Sequence, residues 1–182
     1  MGRPDRAVSY LERALELRPE DDETRMIVAE ILLCQAMEIQ VSNEGEWSKS
    51  PLEKAREKAG RANELVSGVS QNARVDQLQL DLLRAHLIWL TEGDQAGKDA
   101  CRKGIERFGK ALGTEQFWIL LAFISHNESS LQHLTYALDR KPQDSWALWL
   151  RGHLYSDSGR LDLACVSPGL SLSPPTPAEP HK

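Results

Sequence analysis

Metal binding, acid–base work or nucleophilic attack in this chain would have to come from its five histidines, three cysteines and scattered acid clusters. His86, His126, His133, His153 and His181 show neither the i, i+4 pairing nor the carboxylate spacing of a helix-borne metal site. No metal and no cofactor is expected. Cys34, Cys101 and Cys165 are odd in number and widely spaced, so they offer no disulfide framework or paired ligand set. Each reads as a small hydrophobe in a reducing compartment. The run Gly93-Asp94-Gln95-Ala96-Gly97-Lys98 has the look of a phosphate loop. It lacks one residue between its glycines, a hydroxyl after the lysine and a preceding strand, so a turn leading into a helix is expected. Asp21-Asp22-Glu23 follows Pro19, where acids complement a helix dipole. Asn127-Glu128-Ser129 reads as a helix cap. With no Gly-x-Ser-x-Gly elbow either, no catalytic residue is assigned and the chain is not expected to be an enzyme.

Composition narrows the partners. The 182 residues carry 22 basic and 27 acidic side chains, net −5, with bases and acids interleaved as in Glu53-Lys54-Ala55-Arg56-Glu57-Lys58. A phosphate-tracking surface needs a basic excess or stripe, so nucleic acid is not an expected partner. The N-terminus has no apolar signal core, and no apolar run approaches the roughly 18 residues of a membrane span. The expected setting is cytoplasmic, without membrane insertion.

What the chemistry-poor residues build is repetitive. Ala7, Leu11 and Ala14, then Pro19, recur as Ala55, Ala59 and Ala62, and again as Ser130, Leu134 and Ala137, then Pro142. Steps of four and three place each trio on one helix stripe. Small residues there admit a neighbouring helix, and proline ends the helix because it lacks an N–H. Paired helices packed as hairpins are the consequence.

These residues resemble the tetratricopeptide repeat (TPR), a 34-residue helix-turn-helix unit. The segment from Gly2 to Pro19 is similar to the second helix of such a repeat. Val28-Ala29 and Leu32 fall at the family's Leu-Gly and Tyr positions. Trp118, Leu121 and Ala122 repeat the large-x-x-Leu-small pattern, and Leu148, Gly152, Tyr155, Gly159, Leu161 and Ala164 follow Pro142 in register. Arg151 departs from the usual leucine. The second-helix marks Ala7, Ala55, Ala100, Ser130 and Ala164 are separated by 48, 45, 30 and 34 residues. Longer first helices and loops account for the excess: Met26 to Val41 can stay helical until Ser42-Asn43-Glu44-Gly45-Glu46, and Ser50-Pro51-Leu52-Glu53 restarts as a capping box.

The middle unit, 72–109, is the loosest match. Val75, Leu78, Leu82, Ala85 and Trp89 form one stripe of its first helix, while Leu80, Leu83, Leu87 and Leu90 form another. A helix apolar on two sides belongs between neighbours. Its partner carries Ala96, Ala100, Gly104 and Phe108 on one stripe.

The expected fold is therefore all-α: a TPR-like α-solenoid of stacked antiparallel helix hairpins, about eight helices over 1–166. An insertion falls near 42–50 and both end repeats are incomplete, as in a fragment or truncated variant. Residues 167–182, rich in Ser and Pro, form an expected disordered or polyproline-like tail.

The resemblance implies a concave surface lined by first helices. At the inward positions it places Glu23, Met26, Glu30 and Leu33; Gln116, Ile119, Phe123 and His126; and Trp146, Trp149, His153 and Ser156. Family members that clamp a chaperone's C-terminal carboxylate use Lys and Asn where this chain has Met26 and Glu30, Ile119 and Phe123, or Trp149 and His153, so no such clamp is implied. The implied function is a non-catalytic scaffold that binds a peptide or helix of a partner protein, anchored on Trp146 and Trp149. Two other readings stand beside it: a regulatory or assembly module of a larger enzyme complex, and a non-repeat helical bundle that oligomerises. Trp146 and Trp149 could equally cover the neighbouring repeat.

Overall fold

The computed structural model of the chain describes residues 4–42, 49–70 and 75–164. Its helices are α1 (Pro4–Leu17), α2 (Asp22–Ser42), α3 (Lys49–Ser67), α4 (Gln77–Glu92), α5 (Asp94–Phe108), α6 (Glu115–Ser125), α7 (Glu128–Arg140), α8 (Ser145–Asp157) and the single turn α9 (Leu161–Ala164). The described residues are all-helical, and each helix packs on its neighbours in the chain. The expected tail at 167–182, and the insertion between Ser42 and Lys49, lie outside them.

Local chemistry sets the boundaries. Asp21 accepts a hydrogen bond from the Thr24 N–H at 3.0 Å, closing the start of α2. Asp76 accepts from Leu78 N–H at 2.9 Å to open α4. Asn127 accepts from Ser129 N–H while the Ser130 hydroxyl accepts from Asn127 N–H, a reciprocal cap on α7. The phosphate-loop lookalike is a turn: Gly93, at φ +98°, is the whole connection between α4 and α5. That left-handed backbone suits glycine. α3 begins at Lys49, so Ser50 lies inside the first turn rather than ahead of it as the expected cap.

The chain packs in two layers. α2, α4, α6 and α8 touch one another in succession, whereas α3, α5 and α7 pack on the helices before and after them and not on each other; α3 also reaches α1 through the ion pairs Lys58–Asp5 and Arg61–Glu12. Helices that converge on one side and splay on the other make a curved stack, with α2, α4, α6 and α8 on the inner side. The core follows this path. Val28, Ala29, Leu32, Ala59, Ala62, Val66, Leu80 and Leu87 fill the space between α2, α3 and α4. Phe117, Leu121, Ile124 and Cys101 fill the next, and Leu134, Ala137, Ala147 and Leu150 the last.

Two expected stripes shift. On α5 the buried residues are Gly97, Cys101 and Gly104, not Ala96 and Ala100. Their spacing of four and three is that of Ala55, Ala59, Ala62 and of Ser130, Leu134, Ala137, so the middle unit joins the repeat with its mark at Gly97. The interval from Gly97 to Ser130 is then 33 residues, beside 34 from Ser130 to Ala164. Glycine is required here because α5 comes very close: a Cβ on Gly97 would lie 2.6 Å from Trp89 Cβ. On α1, Val8, Leu11 and Leu15 face the core, while Ala7 and Ala14 are exposed with Tyr10 and Leu17. No described helix covers that second face.

Candidate functional site: the inner face of the helical stack

The inner face is built from the outward side chains of α2, α4, α6 and α8. At its α2 end, Glu23, Met26, Ile27 and Glu30 meet Val75, Asp76 and Gln79 around an open depression of about 320 Å³. Gln79 Nε2 donates to Glu30 Oε1 at 2.5 Å, tying α4 to α2 across the face. Glu23 is exposed and Glu30 half-buried, so this end carries negative charge beside an apolar floor.

Towards α8 the face turns aromatic. Trp89 on α4 meets Phe123 on α6 edge-on, with centroids 5.3 Å apart and planes at 87°. Phe123 meets Trp146 on α8 at 6.0 Å. Trp146 and Trp149 stack at 4.8 Å and 13°, and Trp149 stacks on His153 at 5.3 Å and 7°. Residues 146, 149 and 153 stand at i, i+3 and i+7, one face of a helix, so α8 carries all three rings as a ledge. Trp146 is 43% and Trp149 53% exposed. Large aromatics left that open on a regular helix are the most conspicuous apolar surface on this side.

Polar groups bound the ledge. Asp157 Oδ2 lies 3.5 Å from His126 Nε2 and 3.7 Å from His153 Nε2. Trp89 Nε1 donates to Asp94 Oδ1 at 3.0 Å. At the start of α8, Asp144 accepts from Ala147 N–H at 3.0 Å and from Gln116 Nε2 at 3.2 Å, and pairs with Lys141 Nζ at 3.1 Å. Burial alone would push the Asp144 carboxyl up, but these donors outweigh it and hold it below the usual carboxylate range. His86 is lowered as well, but by burial itself, which disfavours the charged ring and outweighs its contact with the Leu82 carbonyl.

The sequence-assigned residues divide on this surface. Phe123, Trp146, Trp149 and His153 come together in one row, with Glu23 and Glu30 at the far end. Met26 and Ile119, at 6% and 2% exposure, are floor rather than rim. Gln79, Trp89 and Asp157 belong to the face and were not assigned from sequence. The repeat register held the signal for two of them: Gln79 stands six residues before buried Ala85, as Glu23 does before Ala29 and Gln116 before Ala122, and Trp89 four after it, as Leu33 does after Ala29 and His126 after Ala122. His153 and Asp157 do stand at i, i+4 and approach to 3.7 Å, a histidine–carboxylate spacing that the sequence reading did not assign.

Among the described residues no group of three or more His, Cys, Asp or Glu side chains is arranged to hold a metal ion, and no helix is long and apolar enough to cross a membrane. Cys101 is buried, as suits a small hydrophobe, and burial pushes its thiol up to about 12; Cys34 is exposed. Comparison with protein-family models, curated proteins and solved structures gives no match.

Proposed function

We propose that the chain is a TPR-like interaction scaffold, cytoplasmic and without catalysis of its own, that binds an extended peptide or helix of a partner protein on its inner face. The observation that carries this reading is the row Trp89, Phe123, Trp146, Trp149, His153, which crosses three successive first helices and includes two half-exposed tryptophans. Aromatic side chains bring large apolar area with few torsions to freeze, which is why they dominate binding hot spots. The acids Glu23 and Glu30 at the other end favour a ligand with an apolar anchor and a basic flank. Display of a random peptide library against the full chain tests it. Selected peptides should lose affinity at least tenfold on Trp149→Ala while the variant keeps its helical circular dichroism. Selection of no peptide, or equal binding to the variant, would contradict the reading.

A second reading has its own observation. Tyr10 and Leu17, 76% and 82% exposed on α1, favour a bundle that associates through that helix. Sedimentation of the full chain with and without Tyr10→Ser and Leu17→Ser decides it: this reading needs a wild-type oligomer that the substitutions dissociate.

A further inference from the structure

The ledge on α8 fits a segment of this same chain. We propose that the proline-rich segment 173–180 docks in cis on Trp146, Trp149 and His153, so that a partner must displace it to reach the inner face. This rests on the reading of that face as a docking surface and adds what regulates it.

The dimensions agree. From residue 146 to 153 the α8 ledge runs about 10 Å at 1.5 Å per residue. A polyproline II strand advances about 9 Å per three-residue turn. Pro174, Pro177 and Pro180 are spaced by three, so a polyproline II strand presents all three along one edge. Two successive prolines then span the ledge from Trp146 to His153. Stacked on one another at 13° and 7°, the three rings turn their outer edges to one side in a continuous row, against which the pyrrolidine rings of such a strand pack. Aromatic-lined grooves are the usual receptors for proline-rich strands, because the ring fixes φ and little entropy is lost on docking.

Reach and charge also agree. α9 packs on α8 and ends at Ala164. The ten residues from there to Pro174 can extend about 33 Å, whereas the whole 13-residue α8 is about 20 Å long. Glu179 is the one charged side chain of 173–180, and contact through Pro174 and Pro177 leaves it beyond the ledge, so docking strips no ion of its water. Tethering supplies an effective concentration in the millimolar range, enough for a weak site to stay filled.

The test uses the full chain. Indole N–H resonances of Trp146 and Trp149, assigned with Trp146→Phe and Trp149→Phe, are compared in the wild type and in Pro174→Ser/Pro177→Ser/Pro180→Ser. Both should shift in the triple variant, independently of protein concentration. A synthetic peptide of residues 167–182 should then return them towards their wild-type positions, and the wild type should need at least tenfold more peptide to saturate. Unchanged indole signals would overturn the proposal. A shift that grows with protein concentration would overturn it in favour of a tail from a second copy. Equal peptide affinity for both chains would overturn cis occupancy while leaving the docking face standing, and failure of library peptides to bind either chain would remove the docking face itself.

Discussion

The Phe117 ring occupies the space beside Gly104: a Cβ built on that glycine would lie 2.6 Å from Cζ and 2.7 Å from Cδ1 of the ring, and closer still to Cε1. Phe117 is fully buried, so it has no free volume into which to retreat. This contact seats α5 against α6 and thereby sets where Phe123 on α6 meets Trp89 and Trp146.

Gly104→Ala should therefore destabilise the chain by about 1–3 kcal/mol, the usual range for overpacking. Gly97→Ala should behave alike, since its Cβ would meet the backbone-proximal Trp89 Cβ. Gly60, within α3, has nothing within 4 Å of such a Cβ. There the alanine should stabilise by about 0.5–1 kcal/mol through helix propensity and a less free unfolded chain. Urea unfolding of the three variants reads all of this.

Much of this organisation was legible in the residues, and the misses have physical causes. Asn127 and Pro19 declared their roles because caps and breakers act locally. Ala29, Ala122 and Gly152 fixed the register that put Phe123, Trp146 and Trp149 on one face. On α5 the same register was hidden, because glycine at 97 and 104 looks like a weak helix former until a close neighbour is known to need its missing Cβ. That slip left Trp89 unassigned, and α4's second apolar stripe concealed which side faced inward. Met26 and Ile119 hold inward positions yet are buried between neighbouring helices, a matter of helix spacing that no single-chain periodicity records. Ala7 and Ala14 follow the packing pattern, but a pattern cannot say whether a neighbour is present.

Asp144 makes the start of α8 sensitive to acid. Its folded pKa is depressed below the ordinary 3.8, so its stabilisation is fully present above that value and is lost as pH falls through the folded value. Asp144→Ala should cost about 1–2 kcal/mol at pH 7, as for other lost N-caps. The gap between variant and wild type should close as the pH falls below 3.8. A gap constant with pH, in thermal melts from pH 7 to pH 2.5, would show that the carboxylate's charge contributes nothing.

The two described cysteines should separate in reactivity. Cys34, on the exposed side of α2, should label with a maleimide in the native protein at the rate of a free thiol. Cys101, buried and held protonated, should label only as fast as the structure opens around it. Peptide mass spectrometry after timed labelling, with and without urea, distinguishes them; rapid native labelling of Cys101 would mean that α5 is not packed as described.

Trp146 and Trp149, proposed as a docking surface, would behave differently if they only covered the fold. Truncating Trp149 removes two stacking pairs, with Trp146 and with His153, each worth about 0.5–1.5 kcal/mol, and part of an exposed ring. Paired measurement of unfolding free energy and of affinity for a selected peptide, in the wild type and Trp149→Ala, tests the claim most directly. A docking surface should show a stability loss within about 3 kcal/mol, a folded variant, and affinity reduced at least tenfold. Loss of several kcal/mol, with the remaining folded molecules binding the peptide as tightly as the wild type, would contradict it.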